Sequence, residues 1–296
     1  METKIVYIIG TGRSGTTLLD IILGNGEELF SAGELNRFTK RNGIPHFPRD
    51  VDVQEFWKGI TAELLKLGYP EPELLFNQFQ KFEYHKWFYN VWNNNIFKSK
   101  DFASYSNFQK DLFKVIHAQL KIVGEKSIII DSSKYPLRGY FLSSIFKKEI
   151  AFVYINRHPT EVVQSFQKKD VEQPAKNRVL AHLYLLVVNS ICRLILKKIK
   201  KNSKVATITF DNLIKDPITT LKVVENDIMI DLSIPKSRIS VQEPLSVGSL
   251  FDGNRLRLKH SIIFKSEKES TYKKSNFFDS IMLPIHQILW YKKNKI

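Results

Sequence analysis

The chain holds a single cysteine, Cys192, among its 296 residues. No intramolecular disulfide can form, and no cysteine–histidine cluster has zinc-site spacing. No uninterrupted apolar stretch approaches the ~20 residues needed to cross a bilayer, so no transmembrane segment is expected. A signal-peptide pattern is missing too: an apolar run starts right after Lys4 and is broken by Gly10–Arg13. Together these absences predict a cytoplasmic protein. Acidic residues are scarce, 30 Asp and Glu against 45 Lys and Arg, which leaves a net charge of +15. That excess points to an anionic ligand, substrate, nucleic acid or membrane surface. Dispersed pairs such as Lys147-Lys148 equally fit a solvated surface. No internal repeat, low-complexity linker or nucleic-acid recognition motif is present, so no nucleic-acid partner is expected. The length and ordinary apolar content suit one domain spanning residues 1–296.

What is there centres on Ile5–Asp20, IVYIIGTGRSGTTLLD. Ile5–Ile9 is short and β-branched enough for a buried parallel strand. Gly10, Gly12 and Gly15 allow a sharp turn and close approach to a ligand. Leu18–Leu23 fits a helix. Strand, glycine turn and helix N-terminus form a phosphate cradle, with unpaired N–H groups and the positive dipole end aimed at an anion. A nucleotide-triphosphate loop reads G-x-x-x-x-G-K-[ST]. Gly10, Gly15 and Thr17 hold their positions, but Thr16 stands where the lysine belongs. The charge lies three residues earlier, at Arg13. Such a loop can hold a terminal phosphate but is poorly equipped to move a γ-phosphoryl group.

Arg13-Ser14-Gly15-Thr16-Thr17-Leu18-Leu19 resembles the 5′-phosphosulfate loop of sulfotransferases that use 3′-phosphoadenosine 5′-phosphosulfate (PAPS). Downstream, Glu34 reads either as a general base facing the anion site or as a surface acid in the loop Asn25–Phe38. The resemblance favours the base, because tyrosylprotein-type enzymes place a Gly-Glu pair where Gly33-Glu34 stands. Lys126–Lys134 is a second strand with Asp131, Ser132, Ser133 and Lys134 at its carboxyl end, where open α/β sheets bind ligands. Pro136 opens a helix carrying Arg138. A strand ending in lysine, one residue, then proline is similar to tyrosylprotein and carbohydrate sulfotransferases, whose lysine contacts the sulfuryl group and leaving oxygen. Ile150–Ile155 is a third strand, followed by Arg157, Pro159 and Ser165. Arg157 and Ser165 can grip one phosphate together, and their spacing resembles the family's 3′-phosphate motif. His158 reads as a turn residue.

Between the loop and the second strand, residues 51–123 read as a helical insertion. Val53–Leu67, Leu74–Trp92 and Phe102–Val123 are its helical segments, with the aromatics of the second expected to form core. Ala175–Lys201 is a long helix and Lys204–Thr209 a fourth strand. Phe210-Asp211-Asn212-Leu213 through Pro217 resembles a family fold signature with Phe in place of Tyr. In Ser246–Lys259, Gly253, Asn254, Arg255 and Arg257 resemble a late loop that closes over the nucleotide in bacterial sulfotransferases; an exposed basic loop fits the same residues. Pro284–Tyr291 is expected to be a final helix packed on the sheet, with Pro284 in its first turn.

The fold implied is α/β, a P-loop-type three-layer α/β/α sandwich with a mostly parallel central sheet and the helical insertion. By the resemblance, Gly12, Arg13, Ser14, Gly15, Thr16 and Thr17 hold the 5′-phosphosulfate of the co-substrate PAPS. Arg157, Ser165, Arg255 and Arg257 hold the rest of the nucleotide. Lys134 and Arg13 neutralise the leaving oxygen, and Glu34 takes the proton of an acceptor hydroxyl. These cations make a metal unnecessary. A carbohydrate, glycolipid or small metabolite is the preferred acceptor, although an acidic peptide would suit the charge. Two rivals stay open: a P-loop kinase or other NTP-dependent enzyme, and a non-catalytic nucleotide- or polyanion-binding protein. Oligomeric state is not readable.

Overall fold

The computed structural model describes residues 3–46, 50–123, 126–168, 175–266 and 277–290. Five parallel strands form the central sheet: β1 (Ile5–Gly10), β2 (Leu29–Gly33), β3 (Ile128–Lys134), β4 (Ile150–Asn156) and β5 (Val205–Thr209). Their order is β2-β3-β1-β4-β5, so β1 is central and β2 and β5 are the edges. From β1 the chain fills one side of the sheet, then the other. That makes the carboxyl end of β1 the switch point where such sheets leave a crevice.

The period of two in β1 separates two cores. Ile5, Tyr7 and Ile9 face one, with α2 (Val51–Lys66), α3 (Pro72–Glu83), α4 (Lys100–Val123), α5 (Pro136–Phe146) and α7 (Arg178–Ile199). Val6 and Ile8 face the other, with α1 (Thr16–Leu23), α9 (Pro217–Ile228) and α10 (Ser233–Ser240). Helices thus cover both faces of a parallel sheet, giving the three layers expected. Besides short 3₁₀ segments, further elements are α6 (Pro159–Gln167), α8 (Phe210–Lys215), the short antiparallel pair β6 (Pro244–Ser246) and β7 (Ser261–Ile263), and α11 (Phe277–Trp290).

Four features differ from the sequence reading. Leu29–Gly33 is an edge strand rather than loop, paired in parallel with β3; with no β-branched residue it carries little strand signal. The aromatic stretch divides. Phe79 and Phe82 of α3 are fully buried, whereas the following 3₁₀ run His85–Trp92 exposes Phe88, Tyr89 and Trp92. Helix α11 starts at Phe277 with Pro284 inside it, and it packs on α6 and α7 with Ile285 exposed. The side chains of Ile288, Leu289 and Trp290, and all of Tyr291, lie outside the described residues. Finally, α7 is long and apolar enough to cross a membrane by length and composition, with under half of its most apolar stretch buried. His182, Asn189, Ser190 and Arg193 interrupt its apolar run without making it polar.

A buried cation joins the inserted helices to the sheet. Arg138 on α5 is wholly buried. Its Nε and Nη2 donate to Asp131 Oδ2 of β3 at 3.0 and 2.9 Å. Nη1 pairs with Glu83 of α3, and Nη2 also reaches Gln109 Oε1 of α4 at 3.1 Å. Burial pushes the Glu83 carboxyl up to about 7, against the pull of Arg138. Removing the guanidinium leaves two carboxylates buried together. Arg138→Ala is therefore expected to lower unfolding free energy by about 3–5 kcal/mol, read from urea melts at neutral pH; a loss within experimental error would rule out this role.

Candidate active site

The glycine turn behaves as its composition suggests. Gly15 caps α1 with φ of 95°, supplies no side-chain cap, and leaves the first helical N–H groups without intrahelical acceptors. No acid sits in the first turn of α1. A Cβ on Gly15 would lie 2.2 Å from the Phe210 ring. Arg13 has φ of 69°, a left-handed conformation that a non-glycine residue adopts only when its surroundings impose it. Ser14 is fully buried and its hydroxyl donates to Thr11 O at 2.7 Å, so it shapes the turn from within.

Two neighbouring strands end at this turn. Gly33 closes β2 with φ of 76°, and a Cβ there would sit 2.5 Å from Asp252 O. Glu34 follows, almost fully buried. Lys134 closes β3 with φ of 63°. Its ammonium is ion-paired with the Glu34 carboxylate, and Arg37 Nε lies 3.7 Å from the other carboxylate oxygen. Asp131, Ser133 and Asn36 hold the two strand ends in register. The Ser133 hydroxyl donates to Asp131 and accepts from the Asn36 N–H at 2.9 Å.

Gly12, Arg13, Gly15, Thr16, Thr17, Glu34, Lys134, Arg255 and Arg257 line one cleft of about 570 Å³, within the usual size of small-molecule sites. The late loop lies on the glycine turn: Asn254 N donates to Thr17 Oγ1 at 3.3 Å. Arg255 is exposed at the rim, while Arg257 is buried and donates to Gly253 O at 2.8 Å and His46 O at 3.2 Å. Arg157 and Ser165 are not among the lining residues. Arg157 Nε donates to Glu161 Oε2 at 2.7 Å, its Nη1 reaches Arg13 O at 3.4 Å, and its guanidinium lies 4.3 Å from the Phe210 ring centre. Ser165 is half-buried on α6. Phe210, read as a fold signature, thus supports both Gly15 and Arg157.

Several wall residues carried no motif. Arg37, His85, Tyr135, Lys176, Leu180 and Tyr184 complete the cleft. The His85 ring stacks on Tyr135, 5.1 Å between centres, and meets Tyr184 edge-on. Burial, then the charge of Lys176, pushes His85 down to about 4, so it is neutral near pH 7. Lys176 lies 4.0 Å from the Tyr184 ring centre, and burial with nearby Arg13 lowers its pKa. The wall thus combines the rings of His85, Tyr135 and Tyr184 and the apolar Leu180 with the cations Arg37 and Lys176. Among the described residues no group of three or more His, Cys, Asp or Glu could hold a metal ion.

Residues 6–232 match the model of the sulfotransferase family. The chain belongs to that family. The match covers every strand of the central sheet, the glycine turn and the Glu34–Lys134 pair. A likeness of fold extends further: the sulfotransferase domain from the curacin biosynthetic pathway aligns over 98% of each chain, with a TM-score of 0.55 and 15% identity. The sulfotransferase domain of the Synechococcus PCC 7002 olefin synthase covers 80% of this chain and 77% of its own, at 20% identity and a TM-score of 0.44. Sulfotransferase STF9 from Mycobacterium avium covers 80% and 67%, at 12% identity and a TM-score of 0.47. No curated protein sequence matches the chain. The family supports sulfuryl transfer as the activity.

Gly33 offers a direct check on this geometry. Gly33→Ala places a methyl against backbone at a left-handed position, and is expected to cost about 2 kcal/mol or more of stability. Thermal melts compared with Gly68→Ala, where a Cβ meets nothing within 4 Å, separate the clash from the backbone term. Equal losses in both variants would contradict the close approach.

Proposed function

We propose that the protein transfers the sulfuryl group of PAPS to an acceptor hydroxyl. The observation that carries this reading is the Glu34–Lys134 ion pair beside an uncapped helix N-terminus in a cationic cleft. Amides of Gly15, Thr16 and Thr17 with Arg13 suit a 5′-phosphosulfate. Arg157 and Ser165 are assigned to the 3′-phosphate. Neither lines the cleft, and Arg157 is held by Glu161 and Arg13 O, so it would exchange its Glu161 contact for the phosphate. Arg255 closes from the rim.

In the reaction the sulfur–oxygen bond to the nucleotide's 5′-phosphate breaks as a bond from the acceptor oxygen forms. The acceptor proton goes to Glu34, and the nucleotide leaves as 3′-phosphoadenosine 5′-phosphate. The work lies in positioning and in stabilising charge on the departing oxygen. Lys134 is placed to do both. In the resting chain it neutralises Glu34; with an anionic donor bound it gains a second partner, which frees the carboxylate to accept a proton. Carbohydrate, lipid or small-metabolite hydroxyls suit a site of this kind. A kinase reading is disfavoured by Thr16 at the lysine position of the loop.

Calorimetric titration tests the donor site. The bisphosphate product is expected to bind tightly, with ADP and ATP weaker, and Arg157→Ala is expected to erase that preference. Equal or tighter ATP binding with Arg157 irrelevant would sink the assignment. With an acceptor in hand, Glu34→Gln is expected to lower turnover by about 10²-fold or more at unchanged bisphosphate affinity. Full activity in Glu34→Gln would remove it as the base.

A further inference from the structure

The cleft opens beside an apolar surface that nothing in the fold requires. On α7, Leu180, Leu183, Val187 and Leu194 are 61, 50, 54 and 43% exposed. Their spacing puts them on one flank of the helix, beside Tyr184 and turned away from the buried stripe Ala181, Leu185, Val188, Cys192 and Ile195. Leu180 belongs both to this flank and to the cleft wall. The 3₁₀ run His85–Trp92 packs against α7 through His85 on Tyr184. It exposes Phe88, Tyr89 and Trp92 by 37, 52 and 54%. Isolated exposed apolar residues need no explanation, but two neighbouring elements exposing them together at a site mouth do.

Charge selects the partner. Neither 84–100 nor 175–201 contains an aspartate or glutamate. The two stretches carry Lys86, Lys98, Lys100, Lys197, Lys198 and Lys200, all exposed. An apolar helix flank whose two described stretches carry exposed cations and no acid, with tyrosine and tryptophan at its edge, matches the interfacial zone of an anionic bilayer. A second copy of this chain fits less well, since each copy would bring the same cations and a net charge of +15 to the contact.

We infer that the α7 flank and the His85–Trp92 run seat the protein on an anionic membrane, and that the acceptor is a lipid whose hydroxyl-bearing headgroup enters the cleft past Leu180. This rests on the sulfuryl-transfer reading for the acceptor's role, but the docking face stands on its own geometry. Docking in this pose keeps the lipid's chains in the bilayer while its head reaches Glu34.

The test is sedimentation of the full chain with vesicles of phosphatidylcholine alone and of phosphatidylcholine with phosphatidylglycerol in equal parts. Wild type is expected to bind the mixed vesicles at least about tenfold more tightly. Leu183→Asp/Val187→Asp and, separately, Trp92→Asp are each expected to weaken that binding by about tenfold or more. The same variants should keep wild-type affinity for 3′-phosphoadenosine 5′-phosphate, which shows that they fold. Wild type remaining in the supernatant would overturn the inference, as would variants that bind like wild type, which would mean charge alone. A dimer in sedimentation equilibrium that these substitutions break would also overturn it, by giving the face to a second copy. Vesicle binding lost in variants whose thermal melts match wild type, in a protein indifferent to the bisphosphate, would support the docking face and remove the donor assignment.

Discussion

Everything near the cleft depends on how the carboxyl ends of β2 and β3 are held together. The hold begins at Arg138, a guanidinium with no access to water. It fixes Asp131 through two donors; Asp131 fixes the Ser133 hydroxyl; and Ser133 fixes the backbone of Asn36. Lys134 follows Ser133 directly, and Glu34 stands two residues before Asn36. The acid and the lysine are therefore positioned from behind by one continuous polar chain whose low-dielectric setting makes each link stiff. The same guanidinium binds Glu83 and Gln109 of the inserted helices. The insertion is thereby part of what sets the distance between Glu34 and Lys134, and is more than an appendage on the sheet.

Backbone strain collects at the same place. Arg13 and Lys134 are both non-glycine residues in the left-handed region, Arg13 in the turn that follows β1 and Lys134 at the end of β3. Such conformations cost about 1–3 kcal/mol each and persist only where packing over-determines them. Here they turn two long cations back across the strand ends toward a common cleft.

The parts visible in the sequence were those whose signal is local. The glycine turn, the apolar strands and the lysine at the end of β3 each show themselves within a few residues, and the three-layer fold follows from strands alternating with helices. Glu34 was legible through Gly33, although the strand leading to it was not, because Leu-Phe-Ser-Ala-Gly lacks β-branched side chains. Arg37, His85, Lys176 and Tyr184 carried no signal, since their place in the wall comes from packing between distant elements. The division of the aromatic stretch was hidden for the same reason: helical spacing cannot tell that α3 stops at Glu83 and leaves Trp92 outside.

The late loop has a consequence for how the chain is made. Phe251 N donates to Ala32 O at 2.9 Å, and Glu34 N donates to Asp252 O at 3.1 Å. These bonds cover the open edge of β2, which would otherwise present unpaired backbone to other chains. The covering segment leaves the ribosome roughly 200 residues after the strand it covers, about 10–40 s later at ordinary translation rates. The edge itself forms only once β3 has emerged to pair with the other side of β2, so it stays open for the roughly 100 residues of synthesis that separate β3 from the late loop.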